Sequence, residues 1–456
     1  MLCKVCSGCG LCEGNQKIKK PLIVTETVFP ETFKVKGGTY GANEFGIAID
    51  AGTTTVVAGA FSLKTGTFLE QVSALNVQRT FGTDVISRIN FASCENGFER
   101  LSSSIKKQLS ELVQLLVTKV KVLFLSRRIQ NPVLSKIVIC GNSAMISFLA
   151  GFSVADLGVY PFKLSSKFNF SVKGADFFGS SFEFPECNVY FPPAAGSFIG
   201  SDTFCSLVAC DFFGRREKYG SFEFLVDAGT NCEMAAYDSV SKRLIVTSSA
   251  AGPAFEGQGI VCGMTASEGA VVSSYFDEKQ CAIKCSVIGN TKAKGICGTG
   301  LLSTAALFLQ KSIIDSKGTF TDEIEKYHLM DEVYIFQQDI RNLQVAKASV
   351  ACGLKILAKE INALSCSEKK RPACLYLTGG FGSAFNLDDV KKIRLIPENL
   401  FENIIVKGNA ALTGAAMILL NDDLKENSAG MFENVQVLNL AEYSDFQKMF
   451  IEEMNF

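Results

Sequence analysis

Two stretches of this sequence share one pattern: FGIAIDAGTTTVVAGAFS, from Phe45 to Ser62, and FLVDAGTNCEMAAYDS, from Phe224 to Ser239. Each is an apolar run, then Asp-Ala-Gly-Thr, then a second apolar run. Apolar runs rich in Val, Ile and Phe, broken by a turn signal, predict a β-hairpin. The turn has a chemical logic. Its glycine, Gly52 or Gly229, admits a tight bend and lets backbone N–H groups approach an anion with no side chain in the way. Thr53, Thr54 and Thr230 add hydroxyl donors, and Asn231 stands where the first copy has Thr54. A carboxylate at the strand end, Asp50 or Asp227, would repel a bare phosphate. It suits Mg²⁺, which favours carboxylates together with phosphate oxygens. The chain between the two aspartates is long enough for one domain duplicated, with a cleft between the halves.

The rest of the composition narrows the class. A length of 456 residues suits two or three domains. A hydrophobic fraction of 47% with 20% charged residues provides for buried cores and excludes a disordered chain. A net charge of −1 gives no bulk attraction to nucleic acid. No run approaches the ~18 apolar residues of a membrane span. The opening MLCKVCSGCG lacks the apolar core of a signal peptide, so a cytoplasmic protein is expected. The single histidine, His328, lies in the polar stretch EIEKYHLMDE and reads as a surface or loop residue. A Ser-His-Asp triad or a histidine metal site has almost no material to work with. Of 17 cysteines, most are scattered through apolar segments, as with Cys205, Cys232 and Cys352, and read as reduced, buried small hydrophobes.

Around the hairpins the pattern alternates. Helical spacing runs from Phe98 to Leu125, and a β-branched strand, Lys136 to Cys140, enters Gly141-Asn142-Ser143. Ser197 to Cys210 reads as a helix, and Thr299 to Gln310 as another after a turn at Gly295 to Gly298. Ile340 to Leu357 sets Leu343, Ala346, Val350 and Leu354 on one helical face. Cys374 to Thr378 reads as a strand and Ala410 to Leu420 as an apolar helix. Such alternation indicates α/β domains. The expected division is a Cys-rich segment at 1–20, a linker at 21–44, a first half at 45–215 and a second at 216–405. A C-terminal helix and tail at 406–456 would pack back on the core. A third glycine element, LTGGFGSAFN, could offer Gly379, Gly380 and Gly382 to a nucleotide base and ribose. Asp202, in a predicted helix, could orient water or hold Mg²⁺, or it could be a helix-surface carboxylate. Together these predict duplicated actin/sugar-kinase-like (RNase H-like) ATPase halves around a nucleotide cleft, with ATP and Mg²⁺ as ligands.

Longer motifs carry a family resemblance. They are IDAGTTTVVA, ALNVQRTFGTDVISRI (Ala74 to Ile89), VICGNSAMISFLAG, VDAGTNCEM, SAAGPAFEGQGIVCGM (Ser249 to Met264), KGICGTGLL, QDIRNLQVAKASVACG (Gln338 to Gly353), LTGGFGSAFN and KGNAALTGA, with the end LAEYSDFQKMFIEEMNF. From about Gly46 onward the chain resembles the ATP-dependent reductive activators of corrinoid proteins, in the ATPase region that they share. The resemblance implies ATP hydrolysis coupled to one-electron reduction of Co(II) to Co(I). The partner would be a B12-dependent methyltransferase or a corrinoid iron–sulfur protein, with a donor such as a ferredoxin supplying the electron. It places Glu256 near Mg²⁺ or the nucleotide ribose. Whether Asp202 or Glu256 positions the attacking water stays open, as does oligomeric state, a homodimer included.

At the front the sequence departs from that family, whose members often carry a plant-type ferredoxin domain. Here stand Cys3, Cys6, Cys9 and Cys12, a C-x2-C-x2-C-x2-C run with Gly8 and Gly10 between. Four close thiolates can wrap one centre. A 4Fe–4S cluster is the first reading, although the spacing differs from the bacterial ferredoxin run at the fourth ligand. Zn²⁺ is the second, although zinc ligand pairs are normally further apart. An unliganded thiol cluster is the third. Two other function classes share the hairpins: a small-molecule kinase of the sugar-kinase type, and an ATP-binding assembly or chaperone module. The kinase gives no reason for the four cysteines, and in a chaperone they would be structural.

Overall fold

The structure, a computed structural model, describes residues 30, 32–213, 222–229, 231–362, 373–379, 386–397, 400–401 and 403–456. Cys3, Cys6, Cys9, Cys12, Thr230, Gly380 and Gly382 lie outside the described residues. The chain divides into two compact units. One comprises Phe29–Arg216 with Ala410–Val437, and the other contains Glu217–Asn409 with Leu438–Phe456.

The first unit is built on β1 (Glu44–Ala51), β2 (Thr55–Ser62), β3 (Phe68–Leu75), β4 (Val133–Cys140), β5 (Phe170–Lys173) and β6 (Asn188–Phe191), in the spatial order β3-β2-β1-β4-β6-β5. β1 to β3 form an antiparallel meander, and β4 and β6 run parallel to β1. β1 is buried on both faces, so its apolar run is continuous rather than alternating. Phe45, Ile47 and Ile49 join the core that also holds Leu101, Ile105, Leu109, Leu116 and Phe124 of the helix Gly97–Ser126. The Phe45 and Phe124 rings meet edge to face at 6.1 Å. Gly46, on the alternate face, lies against the helix Ala410–Leu420: a methyl there would sit 2.9 Å from Leu419 Cδ1. That helix is apolar on nearly every side and almost wholly buried. It crosses the helix Ser201–Ala209 so closely that a methyl at Gly414 would fall 1.8 Å from the Cys205 carbonyl oxygen.

The second unit repeats the plan. Its strands are β7 (Phe222–Ala228), β8 (Cys232–Asp238), β9 (Arg243–Ser249), β10 (Ala270–Asp277), β11 (Ala282–Val287), β12 (Gly295–Ile296), β13 (Lys326–Met330), β14 (Val333–Phe336), β15 (Ala373–Thr378) and β16 (Asn403–Val406). The order β16-β15-β7-β8-β9 matches β6-β4-β1-β2-β3, with the same strands parallel and antiparallel. In each unit one long helix joins the meander to the first parallel strand, Gly97–Ser126 in one and Gln337–Asn362 in the other. The second unit inserts the small sheet β11-β10-β12, the helix Gly298–Gln310 and the hairpin β13-β14. The duplicated α/β architecture expected from two hairpins is therefore present in strand order and direction.

Several local expectations change. The helix read from Ser197 begins at Ser201, because Gly200 is its extended N-cap and Gly196 to Ile199 closes a turn. Gly295-Ile296 is a short strand parallel to Ala270-Val271 rather than part of a turn. Residues 32–36 do not behave as linker. Phe33 N donates to Gly66 O (3.0 Å), and Lys36 N donates to Leu420 O (2.9 Å). Asp422 N donates to Lys36 O (3.1 Å), so this segment's backbone groups are satisfied by the first unit. His328 is exposed, on β13, with Nε2 2.8 Å from the Asp331 carbonyl oxygen. Cys205, Cys232 and Cys352 are buried as expected, whereas Cys94 and Cys281 are exposed. Among the described residues no helix is long and apolar enough to cross a membrane.

Candidate nucleotide-binding hairpins

In the first unit β1 and β2 pair as far as Asp50 with Val57 and Ala51 with Val56, leaving Gly52 to Thr55 between them. A methyl at Gly52 would lie 2.7 Å from the Thr55 carbonyl oxygen, so only glycine closes this turn without a shift. Three successive loop carbonyls are held from one cluster. Gly52 O accepts from Asn76 Nδ2 (2.8 Å), Thr53 O from Arg88 Nη2 (2.6 Å) and Thr54 O from Asn76 N (2.9 Å). Thr53 Oγ1 accepts from Asn142 Nδ2 (2.9 Å), and Asn142 Oδ1 caps the helix Ser143–Ala150 by accepting from Met145 N (3.0 Å).

The turn after β4 closes on the same loop. A methyl at Gly141 would sit 2.7 Å from the Ala51 carbonyl oxygen. Gly141 N donates to Ser201 Oγ (3.1 Å), and Asp202 N donates to Gly141 O (3.3 Å). Asp202 is half-buried in the first turn of the helix Ser201–Ala209, where a carboxylate complements the helix N-terminus. Its Oδ1 accepts from Thr203 N (2.7 Å). Cys140 and Cys205 are fully buried beneath this surface. Burial pushes both thiols up, and the charges of Asp50 and Asp202 add to the rise. Asp50 and Asp202 thus act on the same two thiols, and the structure brings Asp50, Thr53 and Asp202 around one set of loops.

In the second unit β7 and β8 pair to Asp227 with Glu233 and Ala228 with Cys232, and the loop closes with Gly229 N donating to Asn231 O (3.1 Å). β15 runs parallel alongside, with Thr378 opposite Asp227. The next residue, Gly379, has φ +99°, and a methyl there would lie 2.7 Å from both the Ala228 carbonyl oxygen and Asp227 Oδ1. Glu256 ends the single turn Pro253–Glu256, which has proline at its start and left-handed Gly257 after it. A methyl at Gly229 would be 3.9 Å from Glu256 Oε1. Asp227, Gly229, Glu256 and Gly379 therefore converge.

The Glu256 loop is braced by the helix Gln337–Asn362. Fully buried Asp339 accepts from Phe336 N (2.9 Å) and Val261 N (3.0 Å), and Asn342 Nδ2 donates to Gly259 O (2.7 Å). Burial raises the Asp339 carboxyl, and the two backbone donors pull it back. Asn76, Arg88, Asn142, Asp339 and Asn342 were not singled out from the sequence. Their signal was a polar residue inside one of the longer motifs. Among the described residues no group of three or more His, Cys, Asp or Glu side chains is placed to hold a metal ion.

Comparison with known proteins bears on both units. Residues 45–215 match a family model described as the RACo middle region, and residues 221–456 match one described as the C-terminal domain of RACo, the ASKHA domain. The corrinoid activation enzyme RamQ of Eubacterium limosum is 29% identical over 409 residues, covering 83% of this chain and 65% of that protein. The chain thus spans just under two thirds of that relative's length. The [Co(II) methylated amine-specific corrinoid protein] reductase of Methanosarcina barkeri is 23% identical over 445 residues, covering 90% of this chain and 77% of the other. A solved structure of a reductive activator for corrinoid, iron-sulfur protein aligns with TM-score 0.74 and 26% identity over 92% of this chain and 67% of its own.

Proposed function

This chain belongs to the RACo family, and on that footing we propose that it hydrolyses ATP to drive one-electron reduction of Co(II) to Co(I) in a partner corrinoid protein. The observation that carries the reading is the likeness, along nearly all of the chain, to the solved reductive activator. The two hairpins supply the ATP chemistry. Backbone N–H groups and side chains at Gly52, Thr53, Thr54, Gly229, Thr230 and Asn231 contact phosphates. Asp50 and Asp227 would hold Mg²⁺, Glu256 and Gly379, Gly380 and Gly382 would meet the nucleoside, and Asp202 would orient the attacking water.

The need for ATP follows from the electrochemistry. Co(I) lies below the reach of ordinary cellular donors, and for one electron each ~59 mV of deficit is a factor of ten. ATP can offset the deficit only if the activator binds the partner's two states with different affinity. A low-potential donor such as a ferredoxin would deliver the electron. Cys3, Cys6, Cys9 and Cys12 would hold a 4Fe–4S centre as its entry point, with Zn²⁺ the competing occupant.

The test is spectrophotometric. Purified anaerobically and mixed with a Co(II) corrinoid protein, MgATP and a low-potential reductant, the chain should convert Co(II) to Co(I) in an ATP-dependent way. Failure with methyltransferase-type and iron–sulfur-type corrinoid proteins alike, together with phosphorylation of a small metabolite, would overturn the reading in favour of a kinase. Cys6→Ser with Cys9→Ser should abolish reduction and leave ATP binding intact. Protein purified without oxygen that carries no iron would remove the cluster from the scheme.

A further inference from the structure

The motif ALNVQRTFGTDVISRI has no role in the chemistry so far, yet two of its polar side chains reach back to the first hairpin. Arg88 is fully buried. Its Nε donates to Gly82 O (2.9 Å), its Nη1 to Gln78 Oε1 (3.4 Å) and its Nη2 to Thr53 O (2.6 Å). Among the described residues it makes no ion pair. Asp84, the nearest acidic influence, is engaged as N-cap of the helix Val85–Ala92, its Oδ1 accepting from Ser87 N (2.8 Å). Burial brings the guanidinium down only to about 10, so it is charged at neutral pH. A buried cation without a carboxylate is costly unless something else compensates it.

Geometry says where compensation belongs. A trans peptide is planar, so its N–H points away from its C=O. Asn76 and Arg88 hold the carbonyls of Gly52, Thr53 and Thr54. They belong to one cluster: Asn76 Oδ1 accepts from Gln78 N (2.9 Å), and Asn76 and Arg88 both contact Met145 Sδ. With three successive carbonyls drawn to that cluster, the N–H groups of Thr53, Thr54 and Thr55 are turned to the opposite side. Successive N–H groups turned to one side make an anion-binding nest.

We propose that Arg88 and Asn76 are positioning residues that fix the Gly52–Thr54 peptides as a nest for a nucleotide phosphate, with the Arg88 charge directly behind it. The proposal rests on the hairpins binding ATP, and it adds which residues make the first one selective for phosphate. Arginine is required because a planar fork can hold Thr53 O and Gly82 O together while keeping its charge, which lysine's single ammonium does less well. Asn76 supplies a donor to the loop and an acceptor to Gln78 from one side chain.

The test separates phosphate recognition from folding. ATP, ADP and adenosine affinities are measured by calorimetry for wild type, Arg88→Met, Arg88→Lys and Asn76→Ser, with thermal unfolding alongside. Serine keeps a capping oxygen for Gln78 and removes the donor to Gly52. Arg88→Met should weaken ATP roughly 10- to 100-fold, as for loss of a charge-assisted bond, and leave adenosine within about twofold. Arg88→Lys should recover part of the loss, and Asn76→Ser should weaken ATP about tenfold. Equal losses for ATP and adenosine, or unchanged ATP affinity in a folded variant, would overturn the proposal, because a merely structural role gives no phosphate dependence. Wild type that binds adenosine as tightly as ATP would remove the underlying hairpin reading instead. Should Arg88→Met fail to fold, Arg88→Lys and Asn76→Ser decide the matter by the same criterion.

Discussion

The two hairpins share a turn sequence and a strand order, yet the first closes over four residues, the second over three, and different side chains support them. Behind the first stand Arg88 and Asn76, donors that take hold of its carbonyls. Around the second stand carboxylates: Glu233 is paired with Asp227 across the ladder, and Glu256 reaches the Gly229 turn. Duplication has preserved the backbone device and let its surroundings diverge. MgATP itself is two-signed, with anionic phosphates and a divalent cation. Carbonyls held by donors suit a turn that offers its N–H groups to phosphate oxygens, and additional carboxylates beside Asp227 suit a hydrated Mg²⁺. Identical roles for the two turns would make their variants interchangeable. Divergent roles would not.

The largest expected effects come from the glycines whose replacement meets backbone. Gly379→Ala combines φ +99° with 2.7 Å approaches to Ala228 O and Asp227 Oδ1. It should cost about 3 kcal/mol of stability, read by urea unfolding, and eliminate ATP turnover. Gly52→Ala meets Thr55 O at 2.7 Å and should act nearly as strongly on turnover. Next come the aspartates. Asp227→Asn should lower kcat/KM for ATP about 100-fold, about 2.7 kcal/mol, with partial recovery at high Mg²⁺. Asp50→Asn should lose activity with less recovery. Equal responses to Mg²⁺ would mean that Asp50 and Asp227 contribute equally to holding the metal.

The two units also differ in the cation each buries. Lys347, fully buried in the helix Gln337–Asn362, donates to Asn455 O (2.6 Å) and lies 5.8 Å from the centre of the Phe456 ring, so it holds the C-terminal tail. Burial brings it down to about 8, whereas Arg88 falls only to about 10. Between about pH 8 and the unfolded lysine value near 10.4, the unfolded chain therefore holds more protons at Lys347 than the folded chain, and stability rises with pH. Unfolding free energies from urea titrations at pH 7 and 9.5 should differ by about 1–2 kcal/mol from this group, and Lys347→Met should flatten the difference. Arg88 contributes no such slope below about pH 10.

What the sequence showed and what it hid follow one physical line. β1, β2, β7 and β8 were legible because apolar runs and a turn signal are local. The face of Leu343, Ala346, Val350 and Leu354 was legible because helical period is local too, and all four are buried. Arg88 was not, because its bond to Thr53 spans 35 residues and a lone arginine in a helix otherwise reads as exposed. Residues 32–36 read as linker because what fixes them, Gly66 and Leu420, lies elsewhere in the chain. The tail read as one piece returning to the core. Its residues from Ala410 to Val437 instead group with the first unit and the rest with the second, a division that only long-range contacts define. At the hairpins, Asp50, Asp202, Asp227 and Glu256 were legible as candidates, whereas the donors and braces that hold their loops became visible only in the fold.

The smallest effect is the sharpest on the comparison. Gly229 occupies the turn position of Gly52, so equivalence of the hairpins would make Gly229→Ala as damaging as Gly52→Ala. The surroundings say otherwise. A methyl at Gly229 meets Asn231 O at 3.2 Å and Glu256 Oε1 at 3.9 Å, against 2.7 Å to Thr55 O at Gly52. A few tenths of an ångström of relief suffices in the second turn, while the first must shift backbone that Arg88 and Asn76 hold in place. Gly229→Ala should therefore cost under about 1 kcal/mol in urea unfolding and retain most ATP affinity. If it matches Gly52→Ala, the second turn is as rigid as the first. The second turn would then be held as firmly as Arg88 and Asn76 hold the first, and the contrast in how the two turns are supported would have to be given up.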